Sequence, residues 1–196
     1  MPRSTRNSSE EGAFERDGAR TEKISSKKFL YPSRESISGA FRVLAFDPGF
    51  ERLGAAVVEK IKGKETLIHS ECVRTTATLS FPERLKVLGT EAEALIKKWK
   101  PDAVAIEELY FEKNAKTAMK VAAVAGVLTY LTAARNVPLY EYTPLEVKVA
   151  ITGYGKSDKR AVGAMVARLV RLPARARLDD ELDAIAVGLT CLASVR

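Results

Sequence analysis

Four acidic residues stand at positions from which a fold could bring their side chains together. Asp47 and Glu107 each follow a short apolar run that is typical of a buried strand, RVLAF and AVAI. Asp180 and Asp183 are three residues apart near the start of a predicted helix, which places both on one face of it. If the two strands are neighbours in one sheet, the carboxylates of Asp47 and Glu107 meet at its edge, and four carboxylates from three distant segments could converge there.

The chemistry that such a convergence could perform is metal-assisted hydrolysis. Mg²⁺ is a hard cation that prefers oxygen ligands, and two such ions about 3.5 to 4 Å apart activate water and stabilise the leaving oxygen in phosphodiester cleavage. Carboxylates crowded together without a cation would repel one another. A plainer interpretation stays open, in which Asp47 makes the turn of Asp47-Pro48-Gly49 and Asp180 is an acid favoured by the helix dipole.

A band of basic residues precedes the last acidic pair. Residues 148–177 hold eight Lys or Arg side chains against one acid, Asp158. A nuclease needs such a band, because phosphates must be held close to a metal site that is itself built from negative groups. The alternative is a solvated helix face, which is how most charge runs are used. The basic residues are Lys148, Lys156, Lys159, Arg160, Arg168, Arg171, Arg175 and Arg177.

Two aromatic residues, Tyr110 and Phe111, follow Glu107 closely in a segment that looks exposed. Exposed rings there could stack on unpaired bases. By position alone, rings that follow a strand more often cover the edge of a core. His69 lies in an alternating strand pattern and is interpreted as a surface or dimer-contact residue.

The composition narrows the classes of protein to which the chain can belong. It has 196 residues, 46% hydrophobic and 29% charged, which is enough for one domain with a sizeable core. No apolar run approaches the length of a membrane span, and we expect a cytoplasmic protein. One histidine and two cysteines, Cys72 and Cys191, exclude His-cluster and four-cysteine metal sites, so a metal would be held by carboxylates. The net charge of +7 favours an anionic partner.

Residues 1–40 differ from the rest of the chain. They hold eight basic and six acidic residues, many serines and no apolar periodicity, so we expect a disordered N-terminal tail followed by one domain over residues 41–196. The predicted order of elements describes an α/β fold with a mixed five-stranded sheet and helices on both of its faces. Strands are predicted over 42–46, 53–58, 64–75, 103–106 and 138–142, and helices over 82–99, 114–135, 144–152, 159–172 and 180–194.

From about residue 41 to residue 193, the chain resembles the RuvC family of Holliday junction resolvases. The resemblance rests on several separated motifs in the right order, and no single motif would be specific. These motifs are Phe46-Asp47-Pro48-Gly49 before Leu53-Gly54, Ala105-Ile106-Glu107-Glu108 before Lys113-Asn114, Val147-Lys148 before Thr152-Gly153-Tyr154-Gly155, and Asp180 through Asp183-Ala184-Ile185-Ala186.

The resemblance implies an RNase H-like fold, a homodimer, and symmetric Mg²⁺-dependent nicking of two strands of a four-way DNA junction in recombination and repair. It identifies Asp47, Glu107, Asp180 and Asp183 as the catalytic acids and metal ligands, with two Mg²⁺ ions per site and Mn²⁺ as a substitute. We hypothesise that Asp47 bridges the two ions. Partnership with the RuvAB branch-migration complex is implied by the family alone.

The resemblance also assigns the residues that contact DNA. Tyr110 falls where family members have an aromatic ring that stacks at the opened junction, which reverses the interpretation from position alone. Lys148 and Lys159 fall at basic positions used for DNA contact, and we add Lys156 and Arg160 from the same band. Two features depart from the family: some relatives use His in place of Asp180, and the tail over residues 1–40 is not part of the usual pattern.

Two other functions remain as alternatives to a resolvase. Asp47-Pro48-Gly49 with Gly54 also resembles the phosphate-binding hairpin of actin and sugar-kinase proteins, although those need two such domains. The other alternative is a different RNase H-like protein, either an RNA-processing nuclease or a silent junction-binding relative. The intact set of four acids argues against a silent protein.

Overall fold

The computed structural model describes residues 39–108, 115–172 and 178–195. The strands in these ranges are β1 Phe41–Asp47, β2 Arg52–Ile61, β3 Lys64–Arg74, β4 Ala103–Glu107 and β5 Leu139–Tyr142. The helices are α1 Phe81–Trp99, α2 Ala115–Ala133, α3 Pro144–Thr152, α4 Lys159–Leu169 and α5 Asp179–Ser194. The tail expected over residues 1–40 lies outside the described residues, apart from residues 39 and 40, and stays a prediction.

The five strands form one mixed sheet in the order β3-β2-β1-β4-β5. The pairs β1–β2 and β2–β3 are antiparallel, whereas β1–β4 and β4–β5 are parallel. The central strand β1 therefore lies beside β4, although 55 residues separate Asp47 at the end of β1 from Ala103 at the start of β4. This confirms the mixed five-stranded sheet and the neighbouring strands on which convergence of the acids depends.

Helices cover both faces of the sheet, as predicted. Leu44 and Phe46 of β1 face α1 and α2, where Leu88 and Leu128 complete a buried core. The alternate residues of the same strand belong to the core formed with α3, α4 and α5. Helix α5 lies directly on the sheet: at Gly188 the two are so close that a Cβ atom there would be 2.8 Å from Val58 Cγ2. No helix in the described part of the chain is long and apolar enough to cross a membrane.

Local sequence signals explain why the helices that carry site residues begin where they do. Before α3, the hydroxyl of Thr143 accepts from the Glu146 backbone amide at 3.2 Å, and the Glu146 carboxylate accepts from the Thr143 amide at 2.8 Å. This reciprocal pair is a capping box. Before α4, Asp158 Oδ1 accepts from the Ala161 amide at 2.7 Å, so the helix starts at Lys159.

The element bounds differ from the predicted ones in ways that matter for the site. β1 and β4 each extend one residue beyond the predicted apolar runs at the carboxyl end, so Asp47 and Glu107 are the last residues of their strands, as predicted. The last helix begins at Asp179, one residue earlier than predicted. Helix α4 ends at Leu169 instead of continuing to residue 172, where Arg171 has a positive φ of 48°.

Candidate active site

Asp47 and Glu107 lie at the same edge of the sheet. Phe46 and Ile106 are aligned in the parallel β1–β4 pair, and the two acids are the next residues of these strands. Side chains alternate between the faces of a sheet, so both carboxylates project on the face covered by α5. Their preceding residues are buried in the opposite core. The predicted meeting of these two acids is therefore what the strand register produces.

Gly54 allows the start of α5 to pack against the edge of the sheet where Asp47 and Glu107 lie. It is paired with Asp47 in the antiparallel β1–β2 ladder. A Cβ atom on Gly54 would lie 2.0 Å from the backbone oxygen of Asp180 and 3.3 Å from its Cβ. The missing side chain thus leaves room for the first turn of α5, which carries Asp180 and Asp183.

The four carboxylates act on one another electrostatically. The pKa of Asp47 is raised to about 8, first by burial and then by the charges of Glu107, Asp183 and Asp180, while the charge of Lys159 lowers it. The pKa of Asp183 is also raised, first by burial, against a hydrogen bond and charge from Lys159 that lower it. The acids come from three segments that are far apart in the sequence, and the fold brings them close enough to interact electrostatically.

Glu107 is affected by two residues of the basic band. Burial and the charge of Asp183 raise its pKa, whereas the charges of Lys159 and Lys148 lower it. Lys148 is half-buried on α3 and Lys159 is exposed at the start of α4. The predicted basic residues therefore begin immediately beside the acidic cluster.

Lys159 points into the cluster. Its Nζ lies 2.8 Å from Asp183 Oδ2 and 3.6 Å from Asp179 Oδ2. Burial lowers the pKa of Lys159, but the hydrogen bond to Asp183 and the charges of Asp183, Asp179 and Asp47 raise it by more. In this arrangement the lysine supplies positive charge to the acids that surround it.

Asp180 has a different environment from the other acids. The nearest cation to its Oδ2 is Arg52, whose Nε is 3.4 Å away. That oxygen is buried, and nothing among the described residues donates a hydrogen bond to it. Close by, burial and the charge of Asp180 raise the pKa of the Cys72 thiol, while the guanidinium groups of Arg74 and Arg52 lower it.

The donor chemistry of this cluster fits a hard divalent cation. The groups it offers are carboxylates that repel one another, and they include a buried oxygen without a hydrogen-bond donor in the described ranges. Within those ranges, however, no three side chains of the His, Cys, Asp or Glu type are already arranged so that they could hold a metal ion. Side-chain rotation is thus needed before three carboxylates can share one ion.

The remaining predicted contact residues fall into two groups. Lys156 and Arg160 are exposed, in the α3–α4 loop and in the first turn of α4. The loop is held by Thr152, whose hydroxyl donates to the Lys148 carbonyl at 2.8 Å and lies 2.7 Å from Ser157 Oγ. Tyr110, Phe111, Arg175 and Arg177 lie outside the described residues.

His69 is engaged within the chain. Its ring stacks on Trp99 with centroids 5.4 Å apart, and its Nε2 lies 3.0 Å from Glu71 Oε2. The interpretation of His69 as a surface or dimer-contact residue did not include this packing on Trp99, the last residue of α1; the side chain is still 29% exposed, and a dimer contact there stays a prediction. The alternating pattern of β3 did indicate a strand, but not which helix packs on it.

Sequence reasoning missed Arg52, Arg74 and the role of Gly54. The two arginines are 22 positions apart and outside the basic band, and the β2–β3 register makes them direct partners. Gly54 was noted as part of a motif, without the close approach of Asp180 that explains it. A hairpin alignment extended outward from Lys62-Gly63 would have paired Arg52 with Val73, because an irregularity between Val57 and Val58 shifts the register by one residue.

Comparison with known proteins gives consistent matches over the described domain. The family described as "Crossover junction endodeoxyribonuclease RuvC" matches residues 43–191. A protein of that name from Roseiflexus sp. (strain RS-1) is 45% identical over 150 residues, covering 76% of this chain and 89% of its own length. One from Thermosipho melanesiensis is 44% identical over 152 residues, covering 78% and 96%.

A solved structure agrees with the sequence matches. The structure described as T. thermophilus RuvC in complex with Holliday junction substrate superposes with a TM-score of 0.72 at 33% identity. The superposition covers 76% of this chain and 92% of that one. The similarity therefore includes nearly the whole of the relatives, and it spans every strand and helix that carries the acidic cluster.

Proposed function

This chain belongs to the RuvC family of crossover junction endodeoxyribonucleases, and on that premise we propose that it resolves Holliday junctions by nicking two DNA strands. The activity places it in homologous recombination and DNA repair. The family match and the fold favour this function over a kinase-type phosphate-binding domain or an RNA-processing relative.

The observation that carries the proposal is the electrostatic coupling of Asp47 to Glu107, Asp183 and Asp180. Mutual repulsion within a partly buried set of carboxylates costs stability unless a cation or protons offset it. A structural role would not require four acids from three segments at one edge of the sheet. A site that receives divalent cations and phosphate does require them.

The family's nucleases are metal-dependent, and the ion we propose here is Mg²⁺, with two ions per site. Asp47, Glu107, Asp180 and Asp183 would hold them. When bound, the ions supply an activated water and stabilise the charge that develops on the leaving oxygen. The chain's own contribution is to fix the carboxylates on β1, β4 and α5 and to exclude other ligands by burial.

The basic residues beside the cluster position the substrate. Lys148 and Lys159 offset the charge of Glu107 and Asp183, so the approach of a phosphate to the acids is less unfavourable. Lys156 and Arg160 are exposed next to them and would bind backbone phosphates farther along the strand. Tyr110, as in the family, would stack on a base at the opened junction.

A homodimer is proposed because symmetric nicking requires two active sites. Helix α2 offers a surface for it. Residues 121–134 contain no charged side chain, and Met119 and Tyr130 are 72% and 70% exposed. Large apolar side chains on an uncharged helix face are typical of protein interfaces. Cooperation with RuvAB is proposed from the family resemblance.

The function is tested by offering the purified chain a synthetic four-way junction, a linear duplex of the same sequence, and a structured RNA, each with Mg²⁺ and with EDTA. We expect paired, ligatable nicks in the junction with Mg²⁺ alone. Cleavage of RNA or of linear duplex at a comparable rate would contradict the proposal. Nucleotide-dependent thermal stabilisation would instead support the kinase-type alternative.

A further inference from the structure

Two arginines face each other across the β2–β3 hairpin. Arg52 is the first residue of β2, Arg74 is the last residue of β3, and they are partners in the antiparallel register. Directly opposite residues project on the same face with Cβ atoms about 4.5 to 5.5 Å apart, and like charges in such a pair are destabilising. This placement therefore needs a compensating interaction.

The arginine pair lies on the same face of the sheet as the catalytic cluster. Gly54 and Cys72 form the cross-strand pair two residues farther into the hairpin, and positions two residues apart on a strand lie on the same face. The Cys72 side chain and both arginine side chains therefore project on the face on which Gly54 leaves space for α5. The first turn of α5 rests on Gly54 at Asp180. Arg52 reaches this turn, with its Nε 3.4 Å from Asp180 Oδ2.

Nearby acids do not neutralise the pair. Asp180 supplies one negative charge against the two positive charges of the arginines. This charge also acts within the acidic cluster, where it repels Asp47. Glu51 precedes Arg52 and its side chain is 82% exposed, with Oε1 lying 4.0 Å from Arg84. The side chain of Arg52 is itself 52% exposed, and Arg74 is also exposed, so both side chains are accessible to a ligand from solution.

We propose that Arg52 and Arg74 together bind one phosphate of the DNA backbone beside the carboxylate cluster. Two guanidinium groups present planar donor forks that match phosphate oxygens, and the bound anion offsets their repulsion. The site lies on the β2–β3 side of β1, whereas Lys148 and Lys159 lie on the other side, around Glu107 and Asp183. The cleaved strand is thus held on both sides of the reacting phosphate.

This inference rests on the proposed function, since it takes the cleaved DNA strand as the ligand. The test measures junction binding in EDTA over a range of salt concentrations, so it does not depend on activity of the metal-loaded enzyme. The variants are Arg52→Gln, Arg74→Gln and the double variant. Lys64→Gln is the matched control, because it removes one exposed positive charge at the opposite end of the same hairpin.

Each single variant should weaken junction binding about tenfold and reduce the slope of log Kd against log[salt] by about 1. The double variant should lose less than the sum of the two, because both arginines hold one phosphate. Lys64→Gln should bind as the wild type does. Arg74→Gln tests the site without removing the Arg52–Asp180 ion pair, and melting temperatures verify that the variants fold.

Three results would overturn the assignment while leaving the resolvase function intact. The first is wild-type binding and salt slope in both single variants. The second is strictly additive losses, which would mean separate phosphates. The third is an Arg52→Gln variant that nicks slowly but binds normally, which would make Arg52 a positioning residue for Asp180. A wild-type chain that binds no junction would instead refute the proposed function itself.

Discussion

The backbone oxygen of Asp180 lies 2.0 Å from the position that a Cβ atom on Gly54 would occupy. Gly54 is also the cross-strand partner of Asp47. Because Gly54 has no side chain, α5 can approach β2 closely, and this approach sets the distance between Asp47 on β1 and the acids of α5. The site exists because the sheet leaves this space for α5.

Gly54→Ala should displace the start of α5, because the new methyl group would meet backbone atoms that cannot rotate away. We expect a loss of about 1 to 3 kcal/mol in the free energy of unfolding and a fall in junction nicking of at least about a hundredfold. Gly163→Ala is the control, since its Cβ would lie 3.6 Å from Leu182 Cδ1, an ordinary contact. Urea unfolding and single-turnover nicking measure both effects. Wild-type values in Gly54→Ala would show that α5 does not depend on this contact.

The metal-free protein should become less stable as the pH rises from about 5 to about 8. Native Asp47 keeps its proton up to a pKa of about 8, whereas the unfolded residue loses it near 3.8. Between these values the native state binds more protons, so the free energy of unfolding falls with rising pH. Asp47→Asn should remove part of this decline, on the order of a few kcal/mol, in urea titrations with EDTA. An increase in wild-type stability over this range would contradict the coupling.

The sequence predicts features that depend on neighbouring residues, but not features that depend on contacts between distant segments. Apolar runs and helical spacing are local, and they were sufficient to place Asp47, Glu107, Asp180 and Asp183 at the ends of their elements. The meeting of Asp47 and Glu107 required one nonlocal assumption, that β1 and β4 are neighbours, and the parallel register confirms it. The approach of Asp180 and Asp183 depends in addition on the packing of α5 against Gly54.

Other features depend on nonlocal geometry that no local pattern encodes. The Arg52–Arg74 pair follows from the exact hairpin register, and the stacking of His69 on Trp99 follows from how α1 crosses β3. Lys159 was predicted to contact DNA. Its pairing with Asp183 could not be read from the sequence, because it depends on how α4 packs against α5.

Lys159→Gln should lower the Mg²⁺ concentration that gives half of the maximal rise in melting temperature. The lysine ammonium lies 2.8 Å from Asp183 and competes with a cation for its charge. Arg160→Gln removes the same charge from the next residue and serves as the control. Thermal unfolding at pH 8 with increasing Mg²⁺ gives the midpoint. A higher midpoint in Lys159→Gln would show that the lysine supports metal binding instead.

Tyr130→Asp should convert the proposed dimer to a monomer, because it places a charge on α2 where the ring is 70% exposed. The paired nicks should then become uncoupled single nicks. Ile61→Asp is the control, an exposed apolar residue at the end of the β2–β3 hairpin. Sedimentation velocity gives the oligomeric state. A Tyr130→Asp protein that still sediments as a dimer would place the interface elsewhere.

The most direct test of this active site compares wild type and Asp47→Asn on one four-way junction, with nicking and binding measured in parallel in Mg²⁺. Asp47 is the most strongly coupled acid of the cluster, whereas binding depends on the basic residues around it. We expect nicking by Asp47→Asn to fall by at least about a thousandfold, while the junction Kd remains close to that of the wild type. Normal nicking by Asp47→Asn would contradict the assignment of the active site.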